Sequence, residues 1–343
     1  MKKIGHFNAT RYWQKYAFAH PPEGYIYKRA IDIPFHLTPT KNQFLLNTKW
    51  VLPFQGFDLF HTYNSIVPFG YPFVVEVESR MPRYGHRKEG NKWYDWGIKR
   101  LQSNDCRGII FTSEHTRKAN QENFTKWGID PDKCQVIYRA VETPGSLLTR
   151  DEKEFRILFV GNAFYRKGGP ELLKAFKRLP YKEIKLTIVS SFEIDWAIFP
   201  SKEEKEWIAK TINEDPRISI FSYLSHEKVI ELMRHSHLFV NTTFADPFNN
   251  TLLEALACGT PALASDTRAN PEFVKDQFNG FTTPVDKMNK LKIIDFIEDK
   301  IKMLYQDKDL RHTMGQNAYE FVNKHFTIAN RNEKLKKFFD KII

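Results

Sequence analysis

The second half of the chain alternates short apolar runs with segments whose apolar residues return every third or fourth position. Residues 155–160 (FRILFV), 184–189, 218–221, 238–240 and 261–264 read as buried strands. Between them the spacing predicts helices over 170–179, 203–212 and 226–234, the last with Val229, Ile230 and Met233 on one face. A further helix is predicted from about 291 to 305, and the closing segment, from about 313 to 343, reads as helical and rich in Lys and Phe. Strands and helices in alternation predict a parallel sheet with helices on both faces. The first half is less regular. Residues 57–61 (FDLFH), 73–77 (FVVEV) and 108–112 (GIIFT) are expected to be short buried strands, and Ser113 to cap a helix running through Phe124. Residues 136–138 then lead into a linker around 142–145.

Residues 238–280 carry the most chemistry: LFVNTTFADPFNNTLLEALACGTPALASDTRANPEFVKDQFNG. An apolar strand gives way to small polar residues and a turn at Pro247. A helix opens at Asn249, Asn250 and Thr251, carries Leu252, Leu253, Leu256 and Ala257 on its apolar side, and stops at Gly259 and Pro261. Such a helix start presents unpaired N–H groups and the positive end of the helix dipole, a ready site for phosphate. Asp246 and Glu254 bracket it. A carboxylate one turn inside the helix disfavours phosphate, so its natural partner is a sugar hydroxyl, and the pairing reads as a nucleotide-sugar site. A second loop, Gly161-Asn162-Ala163-Phe164-Tyr165-Arg166-Lys167-Gly168-Gly169, follows the first strand of this half. Glycine directly after a strand admits a ligand to the backbone. Lysine then meets a diphosphate as a point charge and arginine as a fork.

Asp246, seven residues, Glu254, then Ala255, Ala257, Gly259 and Pro261 resemble the signature of a large retaining glycosyltransferase family with the GT-B fold, glycosyltransferase family 4 (glycosyl transferases group 1). The match continues to Glu272, Asn279 and Gly280. Asp246 stands where the family usually has glutamate. The loop resembles the family's G-R-x4-K-G: Gly161, Lys167 and Gly168 match, Asn162 stands where the arginine is expected, and Arg166 is the candidate to replace it.

The resemblance implies an α/β protein of two Rossmann-like domains facing across a cleft. An acceptor-side domain would cover 1–145, a nucleotide-sugar-binding domain 152–320, and a C-terminal helix, 321–343, would cross back onto the first. Residues 1–50, full of aromatics and prolines, lack the family's opening strand and glycine-rich loop, so the start of the first domain is expected to be reduced or rewired. Lys167 and Arg166 would hold the donor diphosphate together with the amides of Asn250 and Thr251. Glu254 would bind the ribose and Asp246 the donor sugar. The base would lie near Ser191 and Tyr223, just past two strand ends.

In the first domain, YPFVVEVESRMPR aligns with a family pattern that ends in histidine and puts Glu78 at that place. There it would orient an acceptor hydroxyl or the sugar's own hydroxyls; otherwise it is a surface carboxylate paired with Arg80 or Arg83. His61, at another matching strand end, reads as a satisfied core residue. The implied reaction moves a sugar from a UDP- or GDP-linked donor to an acceptor hydroxyl with retention, by front-face attack, using no cofactor and no metal.

Composition narrows the partners. A chain of 343 residues holds two domains, and 41% hydrophobic with 27% charged residues suits a soluble globular protein. No apolar run nears the roughly 20 residues of a membrane span. The basic start lacks the apolar core of a secretory signal, and three cysteines without metal-type spacing fit a reducing compartment. A cytoplasmic enzyme is expected, peripheral on the inner face of the membrane at most. Residues 1–150 hold 22 Lys+Arg against 13 Asp+Glu, the remainder 30 against 28, so the first half is expected to face something anionic.

Acidic phospholipid and a saccharide on a lipid pyrophosphate qualify; nucleic acid also does but is the less expected partner. Arg80, Arg83, Arg87, Lys88, Lys92, Lys99, Arg100 and Arg107, interleaved with Tyr84, Trp93, Tyr94 and Trp96, suit a membrane interface, sugar stacking, single-stranded nucleic acid or a plain solvated face. The rival from another class is a catalytically inactive GT-B shell that uses its basic half for binding. Asp130-Pro131-Asp132 spells another fold's metal triplet but reads as a turn, and His235 and His237, two apart, do not face one metal easily.

Overall fold

The computed structural model describes residues 1–7, 11–53, 55–84, 88–195, 198–285 and 289–343. Two compact units divide the chain: Met1–Ala140 with Phe326–Ile343, and Val141–His325. In chain order the first unit opens with β1 (Lys2–His6), α1 (Tyr12–Ala19), β2 (Tyr25–Arg29), α2 (Gln43–Leu46) and β3 (Leu59–Tyr63). It continues through β4 (Phe73–Val77), α3 (Lys92–Gln102), β5 (Cys106–Phe111), α4 (Glu114–Lys126) and β6 (Cys134–Val136). The second unit runs β7 (Phe155–Val160), α5 (Gly169–Lys177), β8 (Ile184–Val189), α6 (Lys202–Glu214), β9 (Ile218–Phe221), α7 (His226–His235) and β10 (Leu238–Asn241). After these come α8 (Asn250–Ala257), β11 (Ala262–Ser265), α9 (Asn270–Phe273), β12 (Gly280–Thr283), α10 (Lys290–Gln306) and α11 (Lys308–His325). The last element, α12 (Ile328–Ile342), returns to the first unit.

Each unit is built on a parallel sheet, ordered β2-β1-β3-β4-β5-β6 in the first and β9-β8-β7-β10-β11-β12 in the second. The second order is that of dinucleotide-binding folds, and it reverses direction between β7 and β10, where ligands of open α/β sheets bind. Helices cover the strands, so β7, β8 and β10 read as near-continuous apolar runs rather than alternating ones. Phe159, Leu172, Phe176, Leu186, Leu238 and Leu263 are fully enclosed among them.

The opening of the first unit corrects one part of the expectation for residues 1–50, the missing strand. The segment KKIGH is a strand, paired in parallel with both β2 and β3. Ile4 is its only large core side chain, and Gly5 is small because a Cβ there would lie 2.8 Å from the Phe60 ring. The predicted strand at 57–61 sits two residues later, at Leu59–Tyr63. The closing helical segment is two helices rather than one: Thr327 caps α12 by accepting from the Asn330 amide, in a reciprocal capping box. Leu335, Phe338 and Phe339 of α12 then pack against Ile4, Leu59, Val74 and Ile110. Among the described residues no helix is long and apolar enough to cross a membrane.

Candidate active site

At the β7/β10 switch point the loops after the two strands are stitched together. Gly168 has φ +84°, and a Cβ there would meet the Thr242 hydroxyl at 2.2 Å and the Thr242 carbonyl oxygen at 2.8 Å. Only glycine lets the loop after β7 touch the loop after β10 this closely. The Phe244 amide donates to the Arg166 carbonyl at 2.8 Å, and the Lys167 stem lies across Gly161, where a Cβ would fall 2.4 Å from its Cδ. As a result Lys167 Nζ donates to Asp246 Oδ2 at 2.8 Å.

Asp246 sits between two cations. Arg166 Nη1 lies 3.8 Å from the same carboxylate oxygen, donates to the Ala245 carbonyl, and its Nε donates to Asp195 Oδ2 at 2.5 Å. Both basic side chains therefore already hold carboxylates. Asn162 serves through its backbone: its carbonyl accepts from the Glu193 amide at 2.8 Å and from Ser190 Oγ at 3.3 Å, tying the loop after β8 to the loop after β7.

The start of α8 is open. Asn249 occupies the cap position, but its side chain donates to Asn241 Oδ1 at 3.1 Å and accepts from Thr251 Oγ1 at 3.0 Å, so it caps none of the helix amides. The amides of Asn250 and Thr251 thus keep the anion-binding capacity of a free helix N-terminus. One turn on, Glu254 Oε1 lies 3.2 Å from His226 Nε2, at the first position of α7. Nothing in the sequence pattern ties His226 to Glu254; the contact exists because α7 and α8 pack side by side. The Arg166–Asp195 contact is tertiary too, made by the loop that follows β8.

Ser191 and Tyr223 follow β8 and β9 as expected from the pattern. Ser191 Oγ donates to Glu193 at 3.0 Å, and Tyr223 is 82% exposed. Two cations (Arg166, Lys167), three carboxylates (Asp195, Asp246, Glu254) and the open helix start thus share one edge of the sheet. Such a set can grip an anion and, beside it, accept hydrogen bonds from several hydroxyls.

In the first unit Glu78 lies close enough to Arg83 to act on its charge, and its nearest ion-pair partner is Arg139. Glu78 Oε1 lies 3.3 Å from Nη1 of Arg139, whose Nε meets Glu76 at 3.3 Å and whose Nη2 donates to Tyr63 at 2.8 Å. The Arg139 guanidinium also stacks 3.8 Å above the Trp13 ring and is almost wholly buried. Glu76 is held down to about 2: burial works to raise it, but the His61 hydrogen bond and the charges of Arg139 and Arg331 prevail. His61 is a core residue as read, with Nδ1 2.7 Å from the Tyr27 hydroxyl.

The basic run divides. Arg100 is buried, bonded to Asp105 and to the carbonyls of Val67 and Pro68, so it braces the fold rather than facing solvent. Arg87 lies outside the described residues. Asp130 caps the turn through the Asp132 amide, and His237 Nδ1 accepts from the Arg156 amide inside the second unit's core.

Comparison with known proteins places these features. The sequence model for "Glycosyl transferases group 1" matches residues 147–321, half of the chain. An uncharacterized glycosyltransferase of Methanocaldococcus jannaschii is 23% identical over 91% of this chain and 76% of its own length. The capsular polysaccharide biosynthesis glycosyltransferase CapM of Staphylococcus aureus is 26% identical over 62% of this chain, which spans only about half of that relative. Among solved structures, sucrose-phosphate synthase from Thermosynechococcus elongatus aligns over 99% of both chains with a TM-score of 0.70 at 16% identity. Anabaena HepE in complex with UDP and glucose gives 0.66 over 99% of this chain and 100% of its own, at 15% identity. The two units are thus the Rossmann-like halves of the GT-B fold, and the chain belongs to the glycosyl transferases group 1 family.

Proposed function

We propose that this chain moves a sugar from a nucleoside diphosphate sugar to a hydroxyl of a saccharide acceptor, with retention at the anomeric carbon. The observation that carries the reading is the meeting of Lys167 with Asp246 at the β7/β10 switch point, beside the open start of α8. Lys167, Arg166 and the amides of Asn250 and Thr251 take the diphosphate. Glu254, steadied by His226, accepts from the ribose hydroxyls, and Asp246 from the donor sugar. Ser191 and Tyr223 flank the base. The acceptor oxygen attacks the anomeric carbon on the face the diphosphate leaves. As the carbon–oxygen bond to phosphate breaks, its electron pair stays on the diphosphate, which takes the acceptor's proton. Positive groups fixed where this charge develops are the largest electrostatic aid available. They take the place of a metal, and no cofactor enters the proposal.

A UDP-linked hexose donor is supported by HepE, which has been captured with UDP-glucose. A lipid-linked acceptor is supported by a Campylobacter jejuni relative, 26% identical, whose name specifies a diphospho-undecaprenol saccharide. The test is a panel of UDP-, GDP- and ADP-sugars, scored for binding and slow hydrolysis with wild type, Lys167→Ala and Glu254→Ala. At least one donor should bind and turn over. Both variants should lose at least tenfold in donor affinity while unfolding at the wild-type temperature. Unchanged turnover in both variants refutes the site. Nucleotide binding without any turnover points instead to an inactive binding shell.

A further inference from the structure

The first unit sets three exposed aliphatic side chains, Ile31, Ile33 and Leu52, on one two-stranded ribbon. The Leu52 amide donates to the Ile31 carbonyl at 3.1 Å, the Ile33 amide to the Trp50 carbonyl at 3.0 Å, and Asp32 pairs with Val51 in an antiparallel bridge. In such a ribbon residues 31 and 33 share a face with their partners 52 and 50. Ile31 is 60% exposed on it, and Ile33 and Leu52 are exposed too. The chain then runs on to Leu37, 76% exposed. Soluble chains seldom assemble such side chains without something to cover them.

The patch stands on a rigid base. Trp50 meets Phe35 and Phe44 edge-on, Phe44 stacks on Trp93 with centroids 4.0 Å apart, and Trp96 carries the ladder on to Phe69. Phe69 is again 69% exposed.

Lysines stand in the segments that adjoin the ladder, and Asp95, in the first turn of α3, is engaged by the Gly90 amide at 3.2 Å. Lys41 precedes α2, and Lys88 and Lys92 flank the start of α3, with Lys92 Nζ 4.7 Å above the Trp93 ring. None of the three has an acidic partner among the described residues. The neighbouring acids are engaged elsewhere, Asp32 with Lys49 at 3.1 Å and Glu89 with Lys126 at 2.8 Å. Exposed aliphatics, an aromatic ladder beneath them and unpaired lysines in the adjoining segments match a bilayer interface. Apolar groups enter the acyl boundary there while Trp and Lys stay among anionic headgroups. Nucleic acid would use the lysines and rings but leave Ile31, Leu37 and Leu52 in water.

We propose that this face of the first unit docks on a bilayer surface containing anionic lipid. It deepens the function proposed above by giving a lipid-linked acceptor's membrane a place to meet the enzyme, yet it rests on the first unit's surface alone. The test is co-sedimentation of the full chain with phosphatidylcholine vesicles, with and without phosphatidylglycerol. Wild type should bind the phosphatidylglycerol vesicles, more weakly at high salt. The double variant Ile31→Ser/Leu37→Ser should lose at least tenfold in vesicle affinity. Lys88→Glu/Lys92→Glu should erase the preference for phosphatidylglycerol.

All these positions are exposed, and unchanged circular dichroism and thermal unfolding would confirm that the variants fold. Wild type that stays in solution with phosphatidylglycerol vesicles, or an aliphatic variant that binds like wild type, overturns the docking surface. So does self-association by light scattering that disappears in the aliphatic variant, since a second copy would then be the cover. Nucleoside diphosphate binding on the same samples should not change. Wild type that binds nucleotide but not the vesicles therefore sinks the docking alone, and wild type that binds the vesicles but no nucleotide sinks only the donor site.

Discussion

Two glycines of the loop after β7 do different work, and substitution separates them. A Cβ at Gly168 would run into the Thr242 backbone, which cannot move without shifting β10, and its φ of +84° penalises any side chain. Gly168→Ala should therefore cost roughly 2–4 kcal/mol, from left-handed backbone strain plus overpacking, seen as a lower urea midpoint. At Gly161, φ +157°, an alanine is strained as well, but its Cβ would meet the flexible Lys167 stem rather than backbone. Gly161→Ala should carry that strain without the overpacking, shift the midpoint less, and lower donor affinity because it pushes Lys167 off the line that brings it to Asp246. Equal stability losses, or an unchanged donor affinity for Gly161→Ala, would contradict this division. Sequence alone marks both glycines as special but cannot separate them, since the difference lies in what each one faces.

At the scale of elements, the pairing of α7 with α8 places His226 against Glu254, and α12 closes the first unit. His226 is the first residue of α7 and Ser225 supplies the cap, so His226→Ala should leave the helix intact. It should raise donor KM about fivefold or more with little change in kcat, and His226→Gln should restore part of the loss. An unchanged KM would show that Glu254 needs no such support. For α12 the expected outcome is harsher. Truncation after His325 uncovers Ile4, Leu59, Val74 and Ile110, and a strand face stripped of its helix loses several large burials of about 1.5–3 kcal/mol each. The first unit should then no longer unfold cooperatively; a sharp two-step melt of the truncated chain would refute this.

These elements were unevenly legible. In the second unit the elements expected up to 305 fall within about two residues of the sequence pattern, because strands buried on both faces leave long apolar runs between capped helices. The short α9 and β12 leave no such run, and α11 begins at Lys308, before the expected 313. In the first, β1 hides because only Ile4 of its five residues is a large apolar one, and its partners lie some twenty and fifty residues away. The same holds within the candidate site. Lys167, Asp246 and Glu254 belong to motifs with fixed spacing, whereas His226, Asp195 and Arg139 reach their partners only through tertiary packing.

At the scale of the whole molecule, each unit buries a histidine whose proton affinity is lowered. His237, in the second unit, is held to about 3, by burial first and then by the charge of Arg311, against 6.5 for an unperturbed imidazole. His61, in the first, is lowered chiefly by burial as well. Between pH 6.5 and about 3 the unfolded chain takes up a proton at position 237 that the folded one refuses, so stability falls as pH falls through that window. This one group contributes a slope of up to about 1.4 kcal/mol per pH unit. Glu76, at about 2, adds to the loss in the first unit only once pH drops below the ordinary carboxylate range. His237→Gln is the discriminating variant. Its carbonyl can accept from the Arg156 amide as Nδ1 does, but it does not titrate, and it gives up the ring stacking on Phe155. Thermal unfolding of the variant should be somewhat lower than wild type at pH 7.5, yet the two curves should converge toward pH 5 as wild type pays the histidine penalty. Parallel curves would show that His237 is not what sets the acid sensitivity of the second unit.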